Sequence, residues 1–331
     1  PSFTTKGALS DAFFGVIMLS TNLTIFLFIQ IHKTIRKEKE YVLLGLLLLF
    51  NSLLGAALLY QAYYQLSFIP SDELVLPTEC FRHPHVLAIP GCAVIISLIL
   101  PFMALDRLIA VVRPMYYYTL DRHCACNFAL VLVALFCSYT TTMFFVHKDG
   151  PPVSAQCHPQ DIFSPRTIAV QLFVVAFGHM ASVVIYFSVI AILRRQLRIR
   201  EEKSERRDLI VNTVYLDARQ HSIERTFGLF AAATFLFMVV PCFVLAAFEL
   251  FNRNSTIEMR CFYKIALKFC ALNPTLNVVV YALKHKQIYN GLRQLFHKKS
   301  PPSLPSSRIV ITHSQHHHHA IITAHKSAAT I

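Results

Sequence analysis

Charge is what this chain has little of. Only 15% of its 331 residues are Asp, Glu, Lys or Arg, while 55% are hydrophobic and the mean hydropathy is +0.49. Water-soluble domains carry roughly a quarter charged residues, so a soluble globular protein is excluded. Acid is scarcer than base: 18 Asp and Glu against 31 Lys and Arg leave a net charge of +13. A basic balance raises nucleic acid as a partner, but the basic residues sit in short segments between apolar runs. Membrane orientation accounts for them there, and no nucleic-acid partner is expected. The nine cysteines lack metal-type spacing, since Cys124-Ala-Cys126 has no matching second pair; no metal or cofactor is expected. Paired carboxylates and His/Asp sets are almost missing from the apolar runs, which argues against an intramembrane enzyme. No internal repeat supports a transporter.

What is present is a series of long apolar runs: Ala8–Ile31, Tyr41–Leu66, Pro84–Val112, Cys124–Val146, Thr167–Leu193, Phe227–Phe251 and Tyr263–Leu283. Each reaches the ~20 residues that a spanning helix needs. The runs are continuous rather than alternating, so helices are favoured over a barrel. The first is too long for the core of a cleavable signal and is read as retained. The expectation is an all-α membrane protein, a bundle of seven transmembrane helices over residues 1–299.

The basic residues orient it. Lys33, Arg36, Lys37 and Lys39 follow the first run, Arg113 and Arg122 the third, and nine arginines and lysines between Arg194 and Arg225 the fifth. The other side offers scattered bases mixed with Asp72, Glu73, Asp149 and Asp161. The positive side is cytoplasmic, so the N-terminus is expected outside and the C-terminus inside. The mixed Arg/Glu pattern after Arg194 suits helical extensions of the fifth and sixth runs. Beyond Leu283, Ile288, Leu292, Leu295 and Phe296 share one helical face opposite Lys and Arg, which predicts an amphipathic helix over 284–299 on the inner leaflet. Residues 300–331 are Pro/Ser-rich and then His-rich, as a disordered cytoplasmic tail is. Asn254-Ser255-Thr256 is a glycosylation sequon on the outer side.

The third run ends in Asp106-Arg107, followed one turn later by Arg113-Pro114. An ionic pair at the mouth of an apolar helix usually marks function, although snorkelling at a helix end is the bland alternative. With seven spans and an outside N-terminus, the pair resembles the rhodopsin-like (class A) G-protein-coupled receptors. More narrowly, Lys39-Glu-Tyr-Val-Leu, Cys80-Phe-Arg-His-Pro84-His85 and Asp106-Arg-Leu-Ile-Ala-Val are similar to the nematode Srsx-type serpentine chemoreceptors. Vertebrate odorant receptors compete, because Met103-Ala-Leu-Asp-Arg and Tyr281-Ala-Leu-Lys-His-Lys-Gln-Ile suit them too.

The resemblance implies roles. Asn22 matches the asparagine of span one, and Asn51 stands where the family usually has a sodium-binding aspartate. Cys80 and Cys157 match the cysteines that staple the outer end of span three to the second outer loop. Asp106 and Arg107 form the latch at the cytoplasmic end. Tyr186 and Tyr281 match the tyrosines that receive the arginine on activation, and Pro114-Met115 fits the apolar contact with the G protein. Gly178 replaces the proline of span five, and Val239 a tryptophan, a residue this chain lacks altogether. In span seven the register Asn277-Val278-Val279-Val280-Tyr281 costs the family motif its proline.

For the ligand, the position that holds an aspartate in amine receptors is Ile89, which excludes an aminergic ligand. Gln171, Cys242, Phe243, Tyr263, Leu267 and Lys268 complete a mainly apolar candidate pocket. The retinal position is Ala271, one turn from Lys268, so an opsin is excluded. Lys268 is expected to be paired (Glu249 is one conceivable partner), to snorkel outward, or to face an anionic ligand. The implied function is an orphan chemosensory receptor in the plasma membrane of a sensory cell. It would detect a small, partly apolar molecule and activate a heterotrimeric G protein, with membrane lipid as its other partner. A peptide or other non-aminergic receptor, or a seven-helix protein that does not couple, is the alternative.

Overall fold

The computed structural model describes residues 2–37, 39–67, 74–119, 122–205, 228–251, 266 and 268–276. The chain divides into two compact units, Pro1–Asn290 and Gly291–Ile331, and every described residue lies in the first. The expected amphipathic helix 284–299 and tail 300–331, Asn277, Tyr281, Tyr263, Leu267 and Asn254 lie outside the described residues.

Long helices follow the apolar runs because a backbone in lipid must satisfy its own hydrogen bonds. They are α1 (Ser2–Ile31), α3 (Glu40–Ser67), α5 (Pro84–Val112), α7 (Arg122–His147), α9 (Pro165–Glu205) and α10 (Val240–Phe251). α10 is continued toward its start by a π-helical stretch, Phe235–Val239, so that helix runs from Gly228 to Phe251. These make six helices, among the described residues, long and apolar enough to cross a membrane, and the protein is an integral membrane protein. Residues 268–276 add a further helical segment from the seventh run. The arginine-rich extension is helical through Glu205, well past the apolar part of α9.

Short elements fill the connections: α2 (Lys33–Lys37), α4 (Pro77–Cys80), α6 (Pro114–Thr119), α8 (Pro159–Ile162) and an antiparallel strand pair. In that pair Leu74 faces Ser154 and Val75 faces Val153. Nothing in the sequence pattern announces two-residue strands. Proline sets several helix starts: Pro77, Pro84 and Pro159 each occupy the first position, where a missing N–H costs nothing. At the other end of α5, Arg113 leaves helical geometry at φ −133° and ψ 69°, and Pro114 begins α6.

α5 is the most enclosed span, packed by α3, α7 and α9, while α7 lies at the periphery. α1 and α3 pair closely. Asn51 Nδ2 donates to Asn22 Oδ1 at 3.1 Å, and Asn22 Nδ2 donates to the Met18 carbonyl at 2.8 Å; both asparagines are buried. A neutral amide at 51 donates to Asn22 without bringing a charge into the bundle. Where α9 crosses α5 the backbones all but touch. A Cβ on Gly178 would stand 2.4 Å from the carbonyl oxygen of Ser97. A residue with a Cβ would not fit here without a shift, and small residues are what allow such crossings in membranes.

Alanine is the better helix former by about 1 kcal/mol, but the atom it would strike at Ser97 is backbone and cannot rotate away. Gly178→Ala is therefore expected to destabilise the purified protein by about 1–3 kcal/mol, as overpacking does. Gly228→Ala, with nothing within 4 Å of its added carbon, should be neutral or better. Thermal unfolding of the two variants checks this, and equal melting would contradict the close crossing.

Candidate ligand cavity and helix-end latch

At the end of the bundle where α5 begins, a disulfide joins Cys80 to Cys157, closing a separation of 77 residues. Cys157 sits at φ 49°, a left-handed conformation that non-glycine residues rarely adopt. Its surroundings hold it there. Its N–H donates to the Ser154 carbonyl at 3.0 Å, and its own carbonyl accepts from His85 Nε2 at 3.3 Å. Tyr64 Oη donates to the Ala155 carbonyl at 3.1 Å. His83, just before α5, lies 3.2 Å from Tyr60 Oη, and burial lowers its pKa.

Beneath this cover lies a cavity of about 280 Å³, near the lower end of the ~300–1,000 Å³ typical of small-molecule sites. α5 contributes Ile89, Pro90, Ala93 and Ile96, and α9 contributes Ile168, Gln171, Leu172 and Val175. Leu54, Leu58, Gln61 and Gln65 come from α3, and Gln156, His158 and Gln160 from the disulfide-bearing loop. His158 is held to α3 by the amides of Gln61 at 3.3 Å and Gln65 at 3.4 Å. Met238, Cys242, Lys268, Cys270, Ala271 and Pro274 line it from the sixth and seventh runs, and Asp11 and Phe14 from α1.

Four of the residues expected at the pocket, Ile89, Gln171, Cys242 and Lys268, thus line one cavity. Phe243 is elsewhere. One residue on from Cys242, it turns about 100° around the helix and packs edge-on against Phe173 and Phe177, with ring centroids 6.0 and 5.3 Å away. Lys268 forms its ion pair with Asp11, not Glu249, and both side chains are largely buried. Asp11 was missed by sequence reasoning, yet it is the only acid in the first apolar run. A lone carboxylate in a span is by default a functional candidate. His179 is a buried, hydrogen-bonded histidine, its Nδ1 2.8 Å from the Val175 carbonyl.

At the far end of α5, Arg107 Nε stands 3.9 Å from Asp106 Oδ2, and Tyr117 Oη of α6 donates to that same oxygen at 3.2 Å. Lys39 donates to the Tyr117 carbonyl and lies 3.7 Å above its ring. Asp106 is thus in contact with its neighbour in sequence and with the following short helix. Tyr186 is fully buried in α9, edge-on to Phe230 at 5.1 Å. Pro114 opens α6, and Met115 beside it is 81% exposed. Gln196 Nε2 donates to the Val111 carbonyl at 3.3 Å, tying α9 to the end of α5. Among the described residues, no three His, Cys, Asp or Glu side chains gather into a metal cluster.

Residues 4–157, a little under half of the chain, match the model of a family described as Serpentine type 7TM GPCR chemoreceptor Srbc. No curated protein matches the chain. The membrane bundle and this match together support a chemosensory G-protein-coupled receptor. More narrowly, the match agrees with a nematode serpentine chemoreceptor, and the group it names is Srbc, where the motifs resemble Srsx.

The Asp11–Lys268 pair generates a direct test. Asp11→Asn strands an ammonium in a largely apolar wall and should cost about 1–3 kcal/mol, below the ~3–5 kcal/mol of a fully buried pair because some exposure remains. Exchanging the two, Asp11→Lys with Lys268→Asp, should recover most of the loss in thermal unfolding of the purified protein. A charge exchange as damaging as the two single changes combined would contradict the pairing.

Proposed function

We propose that the cavity is the ligand site of a receptor that couples to a heterotrimeric G protein through the Asp106–Arg107 end of α5. In this reading the seventh run completes the bundle and 284–299 forms an amphipathic eighth helix. The disulfide end faces outside, and the arginine-rich segment and C-terminus face the cytoplasm. The observation that carries the proposal is the position of α5, which lines the cavity with Ile89, Ala93 and Ile96 and ends in the ionic pair held by Tyr117.

A ligand shifts a two-state bundle only by binding one packing better than the other. The cavity favours a small molecule with a substantial apolar portion, because its wall is mainly apolar, with Leu54, Leu58, Ile89, Ile96, Leu172 and Val175 among the side chains that line it. Its polar handles are glutamine amides, His158 and the Asp11–Lys268 pair. On activation Arg107 leaves Asp106 for Tyr186, with Asn277 and Tyr281 serving the same event in span seven, and the exposed Met115 enters the transducer. Lone ionisable groups in the spans are accounted for by pairing and switching, with no need for a catalytic set.

A ligand screen in cells expressing the receptor, read through several G-protein pathways, tests the proposal. At least one small, partly apolar compound should raise signalling, and Arg107→Ala should abolish the response at unchanged surface expression. Tyr117→Phe removes one hydrogen bond, worth about 1 kcal/mol, from the resting latch and should raise basal signalling about fivefold. A full response from Arg107→Ala, or a topology map that puts Arg113 outside the cell, would defeat the reading.

A further inference from the structure

Two thiols meet in the cavity wall. Cys242 of α10 and Cys270 of the 268–276 segment bring their sulfurs to 3.8 Å, and both residues line the cavity and are free of disulfides. One turn before Cys242, Met238 lines the same wall with a thioether. Two metal–sulfur bonds of about 2.3 Å meeting at a tetrahedral angle hold their sulfurs about 3.8 Å apart. The two thiols therefore already stand at the separation of one edge of a tetrahedral thiolate site.

We propose that Cys242 and Cys270 form a binding site for a divalent thiophilic cation of the zinc or cadmium class, with its remaining coordination positions open to the cavity. Binding replaces two S–H bonds by two metal–thiolate bonds and releases both protons to water. The two negative thiolates neutralise the dication, so the inner coordination sphere carries no net charge. That matters in a wall whose surface is mainly apolar, where an unbalanced ion is costly. A monovalent soft cation would leave a net negative complex behind. Thiolates prefer soft and borderline metals over magnesium or calcium. The bound ion joins α10 to the last helical segment and offers open positions to a ligand sulfur or nitrogen. The proposal goes beyond the receptor reading and does not depend on it, since it is measured on the isolated chain.

The test uses purified, reduced, full-length protein titrated with cadmium and followed by the ultraviolet thiolate-to-cadmium absorption. The expected result is saturation at one ion per chain, with the band at least tenfold weaker in Cys242→Ser and in Cys270→Ser and unchanged in Cys92→Ser and Cys137→Ser. Because a serine in this wall can disturb folding, a second measurement uses the wild-type protein alone. Zinc should slow alkylation of Cys242 and Cys270 at least tenfold, read by peptide mass spectrometry, and leave the exposed Cys137 unaffected. A cadmium band that survives both serine substitutions, or alkylation of Cys242 and Cys270 that zinc leaves unchanged, would overturn the proposal.

Discussion

α5 is clasped at its start, middle and end, and the cavity and the Asp106–Arg107 end take their places from it. A helix in lipid gains little from hydrophobic burial, because its surroundings are as apolar as its neighbours. Position is then set by close packing and by the few polar contacts that have nowhere else to go. α5 has both along its length. The Cys80–Cys157 disulfide sits just before its first turn and His85 meets the Cys157 carbonyl. Gly178 admits α9 against Ser97 in its middle, and Gln196 ties α9 to Val111 near its end. A helix held in this way can present Ile89 and Ile96 to a cavity and Asp106-Arg107 to the opposite end as parts of one rigid body.

Against this fixed post, the cavity wall contributed by α10 and the 268–276 segment has a different character. It carries the Cys242–Cys270 contact, Lys268 and the π-helical stretch Phe235–Val239, and Lys268 reaches across to Asp11 of α1. A π-helical stretch interrupts regular α geometry and often marks a functional position. This wall is joined by an ion pair and by two thiols rather than by glycine-tight backbone contact. The division suits a receptor in which the ligand biases α10 while α5 holds the reference frame.

Hydropathy made six of the expected spans legible. The run Pro84–Val112 coincides with α5 at both ends: Pro84 takes the first helical position and Arg113 leaves helical geometry just before Pro114, whereas Pro90 and Pro101 are accommodated inside the helix. Helical continuation into the Arg/Glu segment was also readable, from its opposite charges. The cavity was legible in part: Ile89, Gln171, Cys242 and Lys268 were placed through the family resemblance, and Phe243 shows how far one helical step of error carries a side chain. Contacts between distant parts of the chain were not legible. Nothing local to Asp11 names Lys268 as its partner, and nothing local to Gly178 names Ser97. The pair at Cys242 and Cys270 is 28 residues apart, so no short cysteine motif announces it. The strand pair at Leu74 and Val153 is likewise set by the disulfide-bearing loop and not by propensity.

The measurement closest to the central claim follows three exposed positions at the latch end: Val112 on α5, Leu229 at the start of the α10 span and Ile199 on α9. Each is replaced by a spin-labelled cysteine in a background from which the free thiols have been removed, and pairwise distances are read with and without a nucleotide-free heterotrimeric G protein. The Val112–Leu229 distance is expected to lengthen while Val112–Ile199 stays constant, because α9 remains clasped to α5. A constant Val112–Leu229 distance, or a change confined to Val112–Ile199, would contradict α5 as the fixed post of the bundle.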